Sequence, residues 1–399
     1  MNTSLSKLNP YPFARLNQLL TTVTPADFSL ISLALGEPKH ATPAFLIDYM
    51  TNPELLRKGL ATYPPTRGIA ELRQAISEFI SRRYPPAKIN PETEVLPVNG
   101  TREGLFSVAQ ALSEPRKRKH IVLPNPFYQI YEGASILAGC QPIYVNSEHS
   151  APYKPDYTAI KPSTWDQVSI LYLCNPGNPH GSLLSIKELQ FLIERAQQHG
   201  FIIIADECYS EIYRSEAAAP PGLLEASAKM GNTGHKQCLA FNSLSKRSNL
   251  PGLRSGYVCG DAKLIESFLL YRTYHGSAMP IHNQLLSALA WSDEQHLILN
   301  REMYREKYTA FLEIVDDVWP MHQPEASFYL WPQTPYDDQK FAINLVKETN
   351  IRVLPGSYLA RTSNQQNPGQ NRVRLALVAE LDQCIQAAER IRDHWPKLC

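Results

Sequence analysis

An α/β fold with a largely parallel sheet between helices, joined to a smaller α+β unit, is predicted by two features of the sequence. In the middle of the chain short β-branched runs alternate with longer segments of helical period. From about residue 295 that alternation gives way to one long charged helix and a few short strands. Sheets of the first kind place ligands at the carboxyl ends of their strands.

Taken in order, residues 1–30 carry a Pro-Tyr-Pro-Phe cluster and too little apolar content for a core, so they are expected to be an arm lying on another surface. Residues 47–284 are assigned to a large domain, and 31–46 with 285–399 to a small one. The large domain's first strand, at the start of "VLPVNGTREGLFSVAQAL" (95–112), turns through Asn-Gly-Thr into a helix. Further strands are expected at "HIVLP" (120–124), "QPIYVN" (141–146), "SILYLCN" (169–175), "FIIIADE" (201–207), "QCLAFNS" (237–243) and "SGYVCG" (255–260). Between them "SIKELQFLIERAQQHG" (185–200) begins on a serine cap and ends in glycine, as a helix should. In the small domain "HLILNREMYREKYTAFLEIVDDV" (296–318) is the charged helix. "SFYLWP" (327–332), "IRVLPG" (351–356) and "RVRLALV" (372–378) are the strands.

The bulk numbers narrow the function. A chain of 399 residues with 43% hydrophobic content can bury a large core, and 39 basic against 38 acidic residues give no general attraction to nucleic acid or anionic membrane. Small molecules are the expected partners. The seven cysteines are scattered without a CxxC pair or zinc-like spacing, so no metal site is expected. They read as buried thiols of a reducing compartment. With no signal-like start and no apolar run long enough to span a bilayer, the cytoplasm is the expected location. No basic helix-turn-helix segment argues for a DNA-binding regulator.

Several polar residues stand at strand ends, where structure alone explains them poorly. Asp206, directly after four apolar residues, is either a strand-end cap or a carboxylate in need of a cationic partner. Lys246 is either a solvated loop lysine or, held near Arg247 and Arg254, an amine of depressed pKa able to act as a nucleophile. Ser243, Ser245 and Arg254 suit a phosphate, as do the backbone N–H groups where the 95–98 strand turns into its helix. Phe127, Tyr128 and Tyr131 are core aromatics or the cover of a planar ring. A lysine for an aldehyde, an acid for a pyridine nitrogen and donors for a phosphate together describe pyridoxal 5′-phosphate.

The motifs "LGEP" (35–38), "YPPTRGIAELRQAI" (63–76), "NGTRE", "NPFY", "NPGNPHG", "DECYSEIY", "SLSKRSNLPGLRSG" and "RVRLAL" occur in register along nearly the whole chain. In them the sequence resembles the fold-type-I, class I/II aminotransferases. The resemblance implies the pyridoxal-phosphate-dependent transferase fold, with a mostly parallel seven-stranded sheet. It also implies roles. Lys246 matches the lysine that carries the cofactor and moves the proton. Asp206 matches the acid at the pyridine nitrogen, Asn178 and Tyr209 the donors to the phenolic oxygen, and Tyr128 the stacking ring. Gly100, Thr101, Ser243, Ser245 and Arg254 match the phosphate cup. Gly36 and Arg374 match the substrate-carboxylate site, and Tyr63 the tyrosine that reaches a partner's cofactor in a homodimer. His180 stands where the family usually has threonine.

Within the family, "GEPKHATPAF", "YRTYHGSAM" and "VLPGSYLAR" are similar to the N-succinyl-diaminopimelate aminotransferases of lysine biosynthesis. That implies ping-pong exchange between glutamate and 2-oxoglutarate on one side and a succinylated amino-keto acid on the other. The alternatives are an aspartate, aromatic or kynurenine aminotransferase, or a carbon-sulfur lyase, on the same scaffold. Arg102 is expected either to bind the distal carboxylate of such substrates or to pair with an acid such as Glu103; the resemblance also sets Arg102 among the cofactor-binding residues and Asn178 among the substrate-binding ones. Arg272 and His275 are further candidates for the succinyl end, and Arg247 is expected to pair locally.

Overall fold

The computed structural model describes residues 2–149 and 152–399; residue 1 of the expected arm and residues 150–151 of the expected large domain lie outside the described residues. Seven strands form the main sheet: β1 (Val95–Val98), β2 (His120–Asn125), β3 (Gln141–Asn146), β4 (Val168–Cys174), β5 (Ile202–Asp206), β6 (Cys238–Ser243) and β7 (Gly256–Gly260). Their spatial order is β1-β7-β6-β5-β4-β2-β3. Among the described residues only β7 runs against its neighbours in this sheet, and the sheet's other pairings are parallel. The expected mostly parallel seven-stranded sheet is therefore present, each strand within a residue or two of its apolar run.

The reason lies in burial on both faces. Along β4, Ile170 and Tyr172 point to one core with Leu105, Ile204 and Phe241, while Leu171 and Leu173 point to the other with Phe79, Ile193 and Trp291. Alternate side chains of a strand face opposite sides, so a sheet covered twice needs unbroken apolar runs. Helix Ile186–His199 on one of these faces is capped as the sequence predicted. Ser185 and Glu188 form a reciprocal capping box, and Gly200 closes the other end at φ 75°.

The remainder of the chain builds a second core of Ile31, Leu33, Phe311, Val315, Phe341, Leu345, Leu375 and Ile391. Here β8 (Tyr329–Leu330), β9 (Leu354–Pro355) and β10 (Val373–Ala376) form an antiparallel sheet in the order β9-β10-β8. The expected strand 351–356 is split. Its Ile351–Arg352 half pairs in parallel with Ile31–Ser32, while the Leu354–Pro355 half joins β10. Pro355 has no N–H to continue a ladder, and a helical turn follows at once. Helix Gln295–Val315 packs against Leu381–Leu398 over this core. Leu46, Leu286, Ala290 and Trp291, grouped by the sequence with the smaller unit, pack in the main-sheet core, where Trp291 meets Phe79 and Tyr257 at 4.9 and 5.0 Å.

The arm touches both units: its Thr3–Lys7 turn lies against helix Ile130–Leu137 of the main-sheet unit, and its later helix lies on the second unit. Its helix Pro12–Leu20 buries Leu16 among Trp331, Leu354, Tyr358 and Leu359, and the Arg15 guanidinium sits 3.7 Å from the Tyr358 ring centroid. No helix among the described residues is long and apolar enough to cross a membrane.

Candidate active site

The carboxyl ends of β1, β2, β4, β5 and β6 open on one cavity of about 530 Å³, closed on its other sides by the 35–37 loop, β8 to β10 and the arm. β5 delivers Asp206 and β6 delivers Ser243. The turns after β1, β2 and β4 deliver Thr101, Tyr128 and Asn178. Arg374 comes from β10 and Lys246 from the four-residue helix that follows β6. Of the residues the sequence nominated for cofactor or substrate, Gly100 backs this cavity, Tyr63 is 97% exposed at the surface, and Phe127, Tyr131, Arg272 and His275 do not line it; the others do.

Lys246 is partly buried, and among the described residues its amine has one hydrogen-bond partner, the Gly36 carbonyl at 2.5 Å. Burial pushes its pKa down to about 8, with Arg374 and Arg102 adding to the fall. The sequence expectation named Arg254 and Arg247 as the cations responsible. The structure corrects that: Arg247 is turned away, with its guanidinium 4.8 Å from the Phe79 and Trp291 ring centroids and donating to the Ala290 carbonyl. It ties the lysine's helix to helix Ile281–Ser292.

Asp206 is buried and served by neutral donors. Tyr131 donates its hydroxyl at 2.6 Å and the Cys208 N–H donates at 3.2 Å. Burial raises its pKa, and the bonds from Cys208 and Tyr131 oppose the rise. An acid so desolvated, without a fixed cation bonded to it, suits a ligand N–H carrying positive charge.

Across the cavity Ser243 donates to Ser245 at 2.9 Å, beside the start of helix Thr101–Leu112. Arg254, at φ 54°, bonds the Pro251 carbonyl. A Cβ on Gly100 would lie 2.4 Å from Arg254 Nη2, and Gly100 itself sits at φ 81°. Only glycine lets the guanidinium approach the helix start, which makes a cradle for a phosphate from hydroxyls, a fork and a helix dipole. Lysine, acid and cradle fit pyridoxal 5′-phosphate.

Arg374 is buried, donates to Asn178 Oδ1 at 3.0 Å and to the Ala34 carbonyl at 2.9 Å, and among the described residues keeps Nε without a partner. Its guanidinium lies 4.4 Å from the centroid of the Tyr329 ring, whose hydroxyl meets that of Tyr209 at 3.0 Å. Gly36 is required beside them, since a Cβ there would come within 2.1 Å of Tyr329 Oη. A buried guanidinium bonded to neutral oxygens, with an N–H to spare, is a site for an anion.

Three expectations change. Arg102 does not pair with Glu103; its Nε donates to the Tyr128 hydroxyl at 2.8 Å. Glu103 is instead held by both oxygens at 2.8 Å from Arg272 Nη1, so Arg272 is not free for a substrate. His275 bonds Ser277 outside the cavity. His180 is buried and neutral. Burial, with Arg372 nearby, pushes its pKa down to about 4, and Nδ1 bonds Ser182 Oγ at 2.7 Å. It packs against Gly177, where a Cβ would lie 2.2 Å from its ring.

Sequence reasoning missed Tyr329 and Cys208 as cavity residues, along with Tyr11 and Phe13 of the arm. It also missed that Tyr131 serves Asp206. A tyrosine three residues after Tyr128 was the one available signal, and its partner is 75 positions away.

Comparison with known proteins agrees with this geometry. A family model described as aminotransferase class I and II matches residues 29–391. The chain is 27% identical over 397 residues to LL-diaminopimelate aminotransferase of Moorella thermoacetica, covering 97% of this chain and 96% of that protein. Among solved structures, an aminotransferase from Neisseria meningitidis shares 45% identity at a TM-score of 0.93, covering 99% of this chain and 100% of that one. Aminotransferase AspB from Helicobacter pylori shares 34% identity at a TM-score of 0.88, covering 98% and 99%.

Proposed function

The chain belongs to the class I and II aminotransferases, whose cofactor is pyridoxal 5′-phosphate, and from that premise we propose that it exchanges the amino group of glutamate with N-succinyl-2-amino-6-oxopimelate. The observation that supports the dicarboxylic part of this reading is that, besides Arg254 at the phosphate cradle, the cavity holds two further guanidiniums, Arg374 and Arg102, whose hydrogen-bond partners among the described residues are all neutral. Glutamate and the succinylated substrate each carry a second carboxylate far from the reacting carbon. Similarity to a protein named LL-diaminopimelate aminotransferase supports a second reading, in which the free amino compound is the substrate.

In this proposal Lys246 carries the cofactor, Asp206 meets its ring nitrogen, Asn178 and Tyr209 its phenolic oxygen, and Tyr128 its face. Thr101, Ser243, Ser245, Arg254 and the backbone at Gly100 hold its phosphate. When bound, the cofactor supplies an aldehyde for amine exchange and a protonated ring that draws electrons from the substrate α-carbon. Arg374 orients the α-carboxylate and Gly36 leaves room for it. Lys246 Nζ, with a pKa about 8, takes the α-proton and returns it. Arg102 takes the distal carboxylate. Tyr63, with Leu60, Leu270 and Tyr274 also exposed, supports a homodimer in which it meets the partner's phosphate. The arm, large domain and small domain, with the seam drawn after Trp291, and a cytoplasmic location belong to the same proposal.

One assay tests the substrate: glutamate-dependent conversion of succinylated, acetylated and free acceptors, with oxaloacetate and aromatic 2-oxo acids alongside. Preference for the succinylated acceptor by kcat/KM is expected. Preference for oxaloacetate or an aromatic acid would refute the proposal, and preference for the free acceptor would select the second reading.

A further inference from the structure

Three buried polar side chains with no part in the steps above form a hydrogen-bonded line that ends on the main chain of Lys246. Lys307 Nζ lies 2.6 Å from His40 Nε2, and His40 Nδ1 lies 2.7 Å from Asn300 Oδ1. Asn300 Nδ2 donates to the carbonyl oxygens of Lys246 and Arg247 at 3.2 and 3.1 Å. His40, Asn300 and Lys307 are 6%, 3% and 2% exposed, so water does not substitute for these partners.

The direction of each bond follows from the atoms. The Asn300 nitrogen is identified by its two carbonyl acceptors, so its oxygen faces His40 and can only accept. His40 therefore carries its proton on Nδ1, and Nε2 accepts from Lys307. The carbonyls served by Asn300 are the last of the short helix Leu244–Arg247, which has no further turn to supply donors. Asn300 and Lys307 lie on one face of helix Gln295–Val315, seven residues apart. The other titratable neighbours of the pair are Tyr304, whose ring centroid is 4.5 Å from that of His40, together with Glu380 and Cys384.

We propose that His40 is a positioning residue for transamination: by orienting Asn300 it fixes the main chain from which Lys246 extends. His40 also lies four residues after Gly36 in the loop that leads to helix Ala44–Met50, and the Gly36 carbonyl holds the Lys246 amine at 2.5 Å. One five-residue segment of that loop thereby sets both the root and the tip of this side chain. Burial keeps His40 neutral, as its role as acceptor requires, while the bond to Asn300 works in the opposite direction. The inference rests on the assignment of Lys246 made above.

The test compares holoenzymes of the wild type, Asn300→Leu, His40→Leu and His40→Asn. Asparagine carries an amide nitrogen where imidazole has Nδ1, so it restores the donor to Asn300 without the Lys307 contact. Both leucine variants should lose about tenfold or more in kcat, with KM for glutamate within about twofold, because Arg374 still holds the substrate. They should also shift the pH at which the visible band of the bound cofactor titrates, a readout independent of turnover. His40→Asn should recover most of both changes. Folded, cofactor-replete leucine variants with wild-type kcat and titration would overturn the proposal, as would His40→Asn behaving like His40→Leu. Should the leucine variants not fold, Asn300→Asp decides, since it sets an oxygen against the two carbonyls: a lost kcat with a shifted titration supports the relay, and neither change refutes it. Retained transamination by Lys246→Ala would instead sink the Lys246 assignment. An inactive Lys246→Ala beside an unperturbed Asn300→Leu sinks the relay alone.

Discussion

Replacing Arg374 by lysine keeps the positive charge and removes the fork, which isolates the geometry of carboxylate recognition. The guanidinium has five N–H donors, of which one on each of two nitrogens is spent on Asn178 and Ala34, leaving Nε and the remaining N–H groups for a ligand. A lysine ammonium can offer one strong contact and loses the two anchors that aim the group. Hydrogen bonds involving an ionised group contribute about 1.5–3 kcal/mol each, so losing one contact to the substrate costs roughly 10- to 150-fold in kcat/KM for glutamate. Arg374→Met removes the charge as well and costs about 3–5 kcal/mol, roughly a hundred- to several-thousand-fold. Both are read by steady-state kcat/KM with glutamate, beside a primary amine donor lacking the α-carboxylate. The amine should be nearly indifferent to either change. Because Arg374 is buried with only neutral acceptors, its loss should lower the thermal midpoint little. A loss below about threefold for Arg374→Lys, or an equal loss for the amine, would refute the assignment.

Other substitutions probe separate parts of the cavity. In the apoenzyme, competitive acetylation across the alkaline range should titrate Lys246 with a midpoint near 8 instead of the usual lysine value of 10.5. The folded chain releases this proton earlier than the unfolded one, so the group's contribution to apoenzyme stability rises between those two pH values and falls on acidification. A midpoint at the usual value would contradict the burial argument. Arg102→Ala should raise KM for glutamate about tenfold or more and leave a neutral amino donor nearly unchanged; an equal loss for both sinks the distal-carboxylate role. Arg272→Met takes the cation from Glu103, whose side chain is 26% exposed and keeps the Asn99 N–H and Ser107 hydroxyl, and should cost about 2–3 kcal/mol in denaturant unfolding while kcat holds, whereas a selective loss with succinylated substrate would restore Arg272 as a substrate residue. Tyr63→Ala should weaken cofactor retention in the assembled enzyme without altering the monomer's fold; unchanged retention would remove Tyr63 from the site.

What the sequence disclosed and what it withheld divide by the range of the interactions. The strands were visible because a doubly covered parallel strand needs an unbroken apolar run, and the Ser185 cap and Gly200 stop because capping is local. Asp206, Ser243 and Lys246 stood out for the same reason, as polar residues at the ends of such runs. Partner choice across the chain left no such mark. Glu103 had a neighbouring arginine in sequence, Arg102, yet the helix directs them apart, and Arg272, 169 positions away, takes the acid with both of its oxygens engaged. Tyr131 reaches Asp206 over 75 positions, and His40 meets Asn300 and Lys307 over 260 and 267. Each of these long-range partners is itself polar and buried. Burial of a polar side chain is tolerated only where the fold supplies its complement, and that complement is set by tertiary geometry that periodicity cannot encode. The residues proposed to carry the chemistry therefore stand at motifs and strand ends, where sequence marks them. Those proposed to aim it are legible only once the 36–40 segment and the helix Gln295–Val315 are seen against the same four-residue turn.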